Sequence, residues 1–243
     1  MRVTKVEIEG LTASFRYPFF VVGRQPSYEV PPPATIYGLI CAAVGEWIDP
    51  GPLQFGYWFT HAGRTDDLEH AHIVSAGGAA FAVAGVAFRT NIQGTVQPTR
   101  REFLLHPRLT LYVAGEAFAQ AFRSPAYSIT LGRSQDLAMV SKVEIVELQQ
   151  ESHAYYERTI LPFAWRDQPE CEGVTLIMPR FLDYARDRVP TFAQFIALTE
   201  GAPPFRATAP SSTMAANGLH WVDPAAPLYR GMPRGVALHA FTN

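Results

Sequence analysis

Arginines and side-chain amides crowd one stretch of the chain, Arg89-Thr-Asn91-Ile-Gln93-Gly-Thr-Val-Gln97-Pro-Thr-Arg100-Arg101-Glu-Phe103. Asn91, Gln93 and Gln97 each pair a donor with an acceptor, as base edges do, and arginine's planar fork holds phosphate oxygens. Ile92 or Val96 could wedge between bases. Glu102 is the one acid in the stretch, and surface hairpins without a function rarely carry so one-sided a charge. The chemistry these types point to is contact with a polyanion.

A second candidate lies at Val30-Pro31-Pro32-Pro33-Ala34-Thr35-Ile36-Tyr37-Gly38. Prolines fix the approach to a helix, and Pro33 suits the first turn, where its missing N–H costs nothing. The N–H groups at Thr35 to Tyr37 are then expected to form a rigid anion site on the helix dipole. The same helix keeps Gly38 and Gly45, each costing about 1 kcal/mol against alanine in a helix interior. With Ala42 they place small residues on roughly one side, and plain helix-on-sheet packing is the simpler account of them. A third, weaker signal is Leu131-Gly132-Arg133-Ser134-Gln135-Asp136, a glycine turn before Arg133 with Ser134 placed to cap the next segment.

Enzyme signatures are sparse. The phosphate-loop, nucleophile-elbow and zinc-protease patterns are absent from the sequence. His61, Asp66, Asp67, Glu69, His70 and His72 match no metal-ligand spacing, and a solvated loop is the better reading of them. No metal or cofactor is expected. His106, His153, Tyr155 and Tyr156 qualify for metal-independent RNA cleavage only by type. Three function classes stay open on the residues alone: an RNA-binding subunit, an endoribonuclease and a small-ligand binding domain.

The elements that must position these groups follow from periodicity. Val3–Ile8, Leu53–Phe59, Leu109–Val113 and Val143–Leu148 alternate as strands. Helices are expected from about Ala34 to Trp47 and from Glu116 to Arg123. A charged loop at 61–72, a joint at 77–80, an extended Val83–Phe88 and a polar excursion over 89–107 separate the second and third strands. Strand, helix, strand, excursion, strand, helix, strand is the order of a ferredoxin-like or RNA-recognition-type α+β domain. Beyond residue 150 the pattern weakens into a smaller β-rich region. It has a strand at Val174–Met178, a helix opened by a capping box at Thr191–Gln194, and a closing strand at Val236–Phe241. Domains are thus drawn at 1–150 and 151–243.

The 243 residues carry a formal charge of −2, unevenly spread. Residues 89–133 hold six arginines against Glu102 and Glu116, whereas 134–172 hold three cations against eight acids. That asymmetry suggests a polyanion beside one segment and a protein beside the other, or two ordinary solvated faces. Cys41 and Cys171 make neither a disulfide framework nor a zinc site, which fits a reducing cytosol. No apolar run reaches the length of a membrane span, and the alternating N-terminus reads as a strand rather than a signal peptide.

Three blocks resemble the CRISPR-associated protein 5 family, part of the repeat-associated mysterious protein (RAMP) group: SFRYPFFVVGRQPSYEVPPPATIYGLICAAVGE, QPTRREFLLHPRLTLYV and LGRSQDLA. The first block is worded most like the subtype I-B branch. The resemblance implies a ferredoxin-like RAMP domain with a long β-hairpin thumb at about 89–103, within a cytosolic type I surveillance complex (Cascade). Such a subunit caps the 5′ handle of the guide RNA and touches the large subunit and the last backbone subunit. Its thumb would interrupt the guide–target duplex, meeting target DNA only indirectly. Carried onto this chain, the RNA-contacting residues are Arg24, Tyr28, Thr35, Tyr37, Arg89, Asn91, Gln93, Arg100, Arg101, Arg133 and Ser134. One branch of the family cleaves repeat RNA with a tyrosine, a lysine and a histidine. Here Lys5 and Lys142 are the lysines and neither precedes a histidine, which favours a non-catalytic subunit over a processing endoribonuclease.

Overall fold

The computed structural model describes residues 1–20, 23–75, 80–89, 93–207 and 219–242. Its central sheet has five antiparallel strands in the order Ala138–Glu147, Arg2–Gly10, Arg108–Ala114, Gln54–Thr60, His239–Ala240. Helix α1 (Pro33–Val44) joins the first strand to Gln54–Thr60, and α2 (Phe118–Arg123) joins Arg108–Ala114 to Ala138–Glu147. Period-2 alternation sends Val6, Ile8, Phe55, Tyr57, Phe59, Leu109 and Leu111 into one core with Ile36 and Ile40 of α1 and Phe122 of α2. The opposite face buries Val3 and Tyr112 under Leu148 and Val236. Asp223 ties that cover down by accepting from Lys5 Nζ at 2.7 Å and Tyr112 Oη at 2.8 Å.

A second sheet orders Thr159–Pro162, Val189–Leu198 and Val174–Asp183, with Val189–Leu198 in the middle. The capping box at Thr191 therefore opens no helix. Pairing on both edges, with Phe195 to Leu198 buried, outweighs a local signal that concerns only one turn of backbone. Met178, Phe195 and Ala197 of this sheet share the core of α1, so residues on either side of position 150 enclose one helix. That explains why α1 is apolar nearly all round. At its end Gly45 is required: it caps the helix at φ 96°, donates to the Cys41 carbonyl at 2.8 Å, and a Cβ there would sit 2.8 Å from Ala126 Cβ. Of the expected closing strand, His239–Ala240 is what pairs with the sheet.

From the central sheet rises an arm. Strands Gly63–Ser75 and Gln93–Leu105, 13 residues each, pair antiparallel along their whole length. Ala80–Val83 and Val86–Arg89 pair around a turn at Ala84 (φ 51°) and Gly85 (φ 80°), as a two-residue hairpin requires. Two expectations are thereby corrected: residues 61–72 are mostly strand rather than loop, and Val83–Phe88 is bent rather than extended. Most of the expected joint at 77–80 lies outside the described residues. Among the described residues, no helix is long and apolar enough to cross a membrane.

Candidate nucleic-acid interface

The arm's antiparallel register sorts its side chains onto two faces. On one face stand Arg100, Pro98 and Val96 opposite Leu68, His70 and His72. On the other stand Arg101, Thr99 and Gln97 opposite Asp67, Glu69 and Ala71. Charge pairing across the strands, Arg101 with Glu69 and Arg64 with Glu102, joins burial of Leu104 and Thr99 in holding the lower arm together. This is why Gly63–Ser75 lacks an apolar rhythm.

At the arm's base the arginines are already occupied. Arg101 Nε donates to Glu69 Oε2 at 2.5 Å. Arg24 reaches Glu102 Oε2 at 2.6 Å and Asp66 at 3.0 Å. Arg64 meets Glu29 at 2.8 Å. Arg133 is the most heavily engaged. It donates to Asp136 through Nε and Nη2, both at 2.9 Å, and to Glu69 Oε1 at 2.8 Å, with its guanidinium 5.3 Å from the Phe103 ring centre. Asp136 is fully buried and also takes the Arg133 backbone N–H and the Thr12 hydroxyl. Hydrogen bonding to Asp136 raises the Arg133 pKa above its ordinary value. Burial opposes ionisation of Glu69, but hydrogen bonds from Arg133 and Arg101 prevail and lower its pKa.

The turn carrying Arg133 is locked by backbone geometry. Gly132 has φ 117°, and a Cβ there would lie 2.0 Å from the Ser14 carbonyl oxygen. Ser14 N–H in turn donates to the Leu131 carbonyl at 3.1 Å. The Leu-Gly-Arg-Ser-Gln-Asp block is therefore a clamp between the first strands and the arm, with Ser134 exposed at its outer edge.

Several expected contact residues lie elsewhere. Tyr28 is fully buried, stacked on Tyr17 at 3.7 Å, and donates its hydroxyl to the Ile177 carbonyl at 2.6 Å. Tyr37 is buried against Phe181 and Phe241 and donates to the Ile48 carbonyl at 2.6 Å. Burial takes both off the candidate surface. The expected anion site at the helix start is also corrected, because the Thr35 and Ile36 N–H groups close on the Pro32 carbonyl at 2.9 and 3.3 Å. Pro31, Pro32 and Pro33 are buried, and the Tyr57 hydroxyl donates to the Pro31 carbonyl at 2.9 Å. The prolines thus form a packed, extended entry to the helix. Arg89 and Gln93 are placed as arm backbone, and Asn91 and Ile92 lie outside the described residues.

What remains for a polyanion is the Arg100 face. Arg100 is exposed and forms no ion pair among the described residues. Around it Leu68, Val96 and Val74 are 59%, 55% and 60% exposed. Among the nuclease candidates, Tyr155 donates to the Pro227 carbonyl and Tyr156 pairs with His220 Nδ1, both at 2.9 Å. His106 sits in the turn after the arm at φ 48°. Sequence reasoning missed Asp66, Asp67 and Glu69 as the arginines' partners. Acids placed opposite Arg100-Arg101 across a hairpin were the available signal.

A family model described as CRISPR-associated protein (Cas_Cas5) matches residues 4–194. The chain belongs to that family. The match takes in both helices, the whole arm and the clamp at 131–136. Among solved structures, a chain of a CRISPR RNA-guided surveillance complex aligns at a TM-score of 0.50 and 16% identity, covering 86% of this chain and 92% of its own. A CRISPR protein from Archaeoglobus fulgidus aligns at 0.49 and 12% identity, covering 99% and 100%. At 16% identity the first of these likenesses concerns the fold alone. No curated protein matches the chain.

Proposed function

We propose that this chain is a non-catalytic, guide-RNA-binding subunit of a type I CRISPR surveillance complex, capping the RNA's 5′ handle. The observation that carries the reading is the arm: 13 residues a side, with Leu68, Ile73, Val74 and Val96 more than half exposed. A hairpin that presents apolar side chains on its own surface suits contact with other molecules. Family membership and the strand order, fourth-first-third-second with two crossing helices, support a ferredoxin-like RAMP domain with this arm as its thumb. Large and backbone subunits are the proposed protein partners, the cytoplasm the proposed location, and target DNA is met near the thumb. The I-B branch is proposed from the wording of the first block alone.

The hydrogen bonds that occupy Tyr155 and Tyr156 support the non-catalytic side of the reading. A tagged chain purified from its host should bring down short RNAs sharing one repeat-derived 5′ end, together with other CRISPR proteins. Absence of RNA from a stable complex would overturn the capping role. Incubating the pure chain with repeat RNA in EDTA should leave the RNA whole. A single discrete cut, lost on substituting a histidine, would make it the processing nuclease instead.

A further inference from the structure

Just past the C-terminal end of α1, three rings lead from the core to the surface. Tyr37 is buried, Trp47 is 48% exposed and Tyr184 is 57% exposed. Trp47 stacks on Tyr37 at 6.0 Å and 25°, and on Tyr184 at 4.5 Å and 20°. The Tyr37 hydroxyl donates to the Ile48 carbonyl at 2.6 Å and so pins the turn that carries Trp47. Tyr184 begins a short turn, 184–186, that Asp183 caps by accepting the Ala185 N–H at 3.1 Å. The stack therefore joins the helix end to the C-terminal sheet. It finishes on Tyr184, which no ring but Trp47 touches among the described residues.

Two features say what this end receives. Four arginines of the chain lie over its own rings: Arg133 on Phe103, Arg166 on Phe163, Arg230 on Tyr229 and Arg234 on Trp58, at 4.5–5.4 Å from the ring centres. A guanidinium on an aromatic face is thus a contact this chain uses repeatedly. Tyr184 has none among the described residues, although Arg186 is two positions away. The second feature is charge. Segments 46–49 and 183–188 hold Glu46, Asp49, Asp183 and Asp187 against Arg186 and Arg188. None of the four acids forms an ion pair among the described residues. Burial chiefly raises the Tyr37 pKa, and the charges of Asp49 and Asp183 add to the rise, which places both carboxylates beside the stack.

We propose that this aromatic end docks an arginine carried by a protein subunit of the complex. The guanidinium lies on the open face of Tyr184 and donates to Asp183 and Asp49, so the stack gains a fourth flat group. The proposal rests on the surveillance-complex reading above and adds a surface and its chemistry to it. Carboxylates repel a phosphate backbone, which sets this end apart from the Arg100 face and favours a cationic side chain over a nucleotide. A planar guanidinium meets ring and carboxylate at once, which a lysine's point charge does less well. Exposed Trp and Tyr rings of this kind are enriched where binding energy concentrates between proteins.

The test replaces Tyr184 with the photocrosslinker p-benzoylphenylalanine in a tagged chain, expressed in its host and irradiated in the purified complex. Mass spectrometry of the crosslinked peptide should find one segment of another protein, and that segment should contain an arginine. Asp49→Lys with Asp183→Lys should then lower recovery of that protein about tenfold, and Tyr184→Ala about as much. Tyr184→Phe should retain it. The pure chain should hold single-stranded RNA equally well with and without Tyr184→Ala. If the aspartate pair fails to fold, Tyr184→Ala decides instead. A crosslink to RNA, or weaker RNA binding by Tyr184→Ala, would make the stack a base platform and end the proposal. No crosslink in an intact complex, or a crosslinked segment without arginine, would also end it and leave the complex reading standing. A chain that co-purifies with no protein would remove that reading, and this surface with it.

Discussion

Arg133 and Arg100 are the same residue type within one basic stretch of the sequence, yet they differ in what surrounds them. Arg133 is held among Asp136, Glu69 and Asp67, with its side chain 11% exposed. Arg100, on the other face of the arm, projects without an ionic partner among the described residues. Arginine used as a fastener is neutralised inside the chain, and arginine used for recognition is left with its charge unspent. Counting basic residues cannot separate the two; finding the carboxylates does.

The largest effect that sharpens this contrast is Arg133→Ala. It strands the buried Asp136 carboxylate and should cost about 3–5 kcal/mol, seen as a thermal midpoint lower by roughly 10 °C. A midpoint unchanged within a degree would dissolve the distinction. Acid should reach the same network next. Because Glu69 titrates in the folded chain below its unfolded value, the folded form binds fewer protons there. Its contribution is complete above about pH 4.3 and is lost as pH falls through the depressed value. Unfolding midpoints followed against pH should flatten in Glu69→Gln, and an unaltered acid limb would exclude Glu69 as the source. Arg101→Ala should be milder, about 1 kcal/mol, since Glu69 keeps Arg133. Smallest for stability is Arg100→Ala, within about 0.5 kcal/mol. It should nevertheless weaken RNA retention and make the salt slope shallower by about 0.7. If Arg101→Ala produced the greater RNA defect at unchanged stability, the two faces of the arm would have to exchange roles.

The central sheet was readable because Val3–Ile8 and Leu109–Val113 alternate over a buried face, and α1 because its apolar run begins at prolines and stops before Asp49-Pro50-Gly51. The outgoing arm strand was not readable. Its residues, Gly-Arg-Thr-Asp-Asp-Leu-Glu-His-Ala-His, bury little on this chain, so no apolar period exists to be seen. Thr191–Gln194 misled for the opposite reason, a clear local signal overruled by strands on either side. The site was legible in residue type but not in pairing. Asp66 lies 42 residues from Arg24, and Asp136 124 from Thr12, and no local pattern encodes such distances. Tyr28 and Tyr37 suited RNA contact by type, and only tertiary packing could assign them to the core.

The clamp at Gly132 also sets an order of assembly. The arm's strands lie within one stretch of chain and can zip as soon as Leu105 has emerged during synthesis, because the loop they close is local. Their seat cannot form then, since Arg133 and Asp136 have not yet been made. Closing Thr12 onto Asp136, 124 residues apart, must wait for the turn and costs somewhat more chain freedom, since closure entropy grows slowly with loop length. Until that turn is made, Asp67 and Glu69 of the arm lack Arg133. Synthesis of the 131–136 turn supplies Arg133, which ties Glu69 of the arm to the buried Asp136.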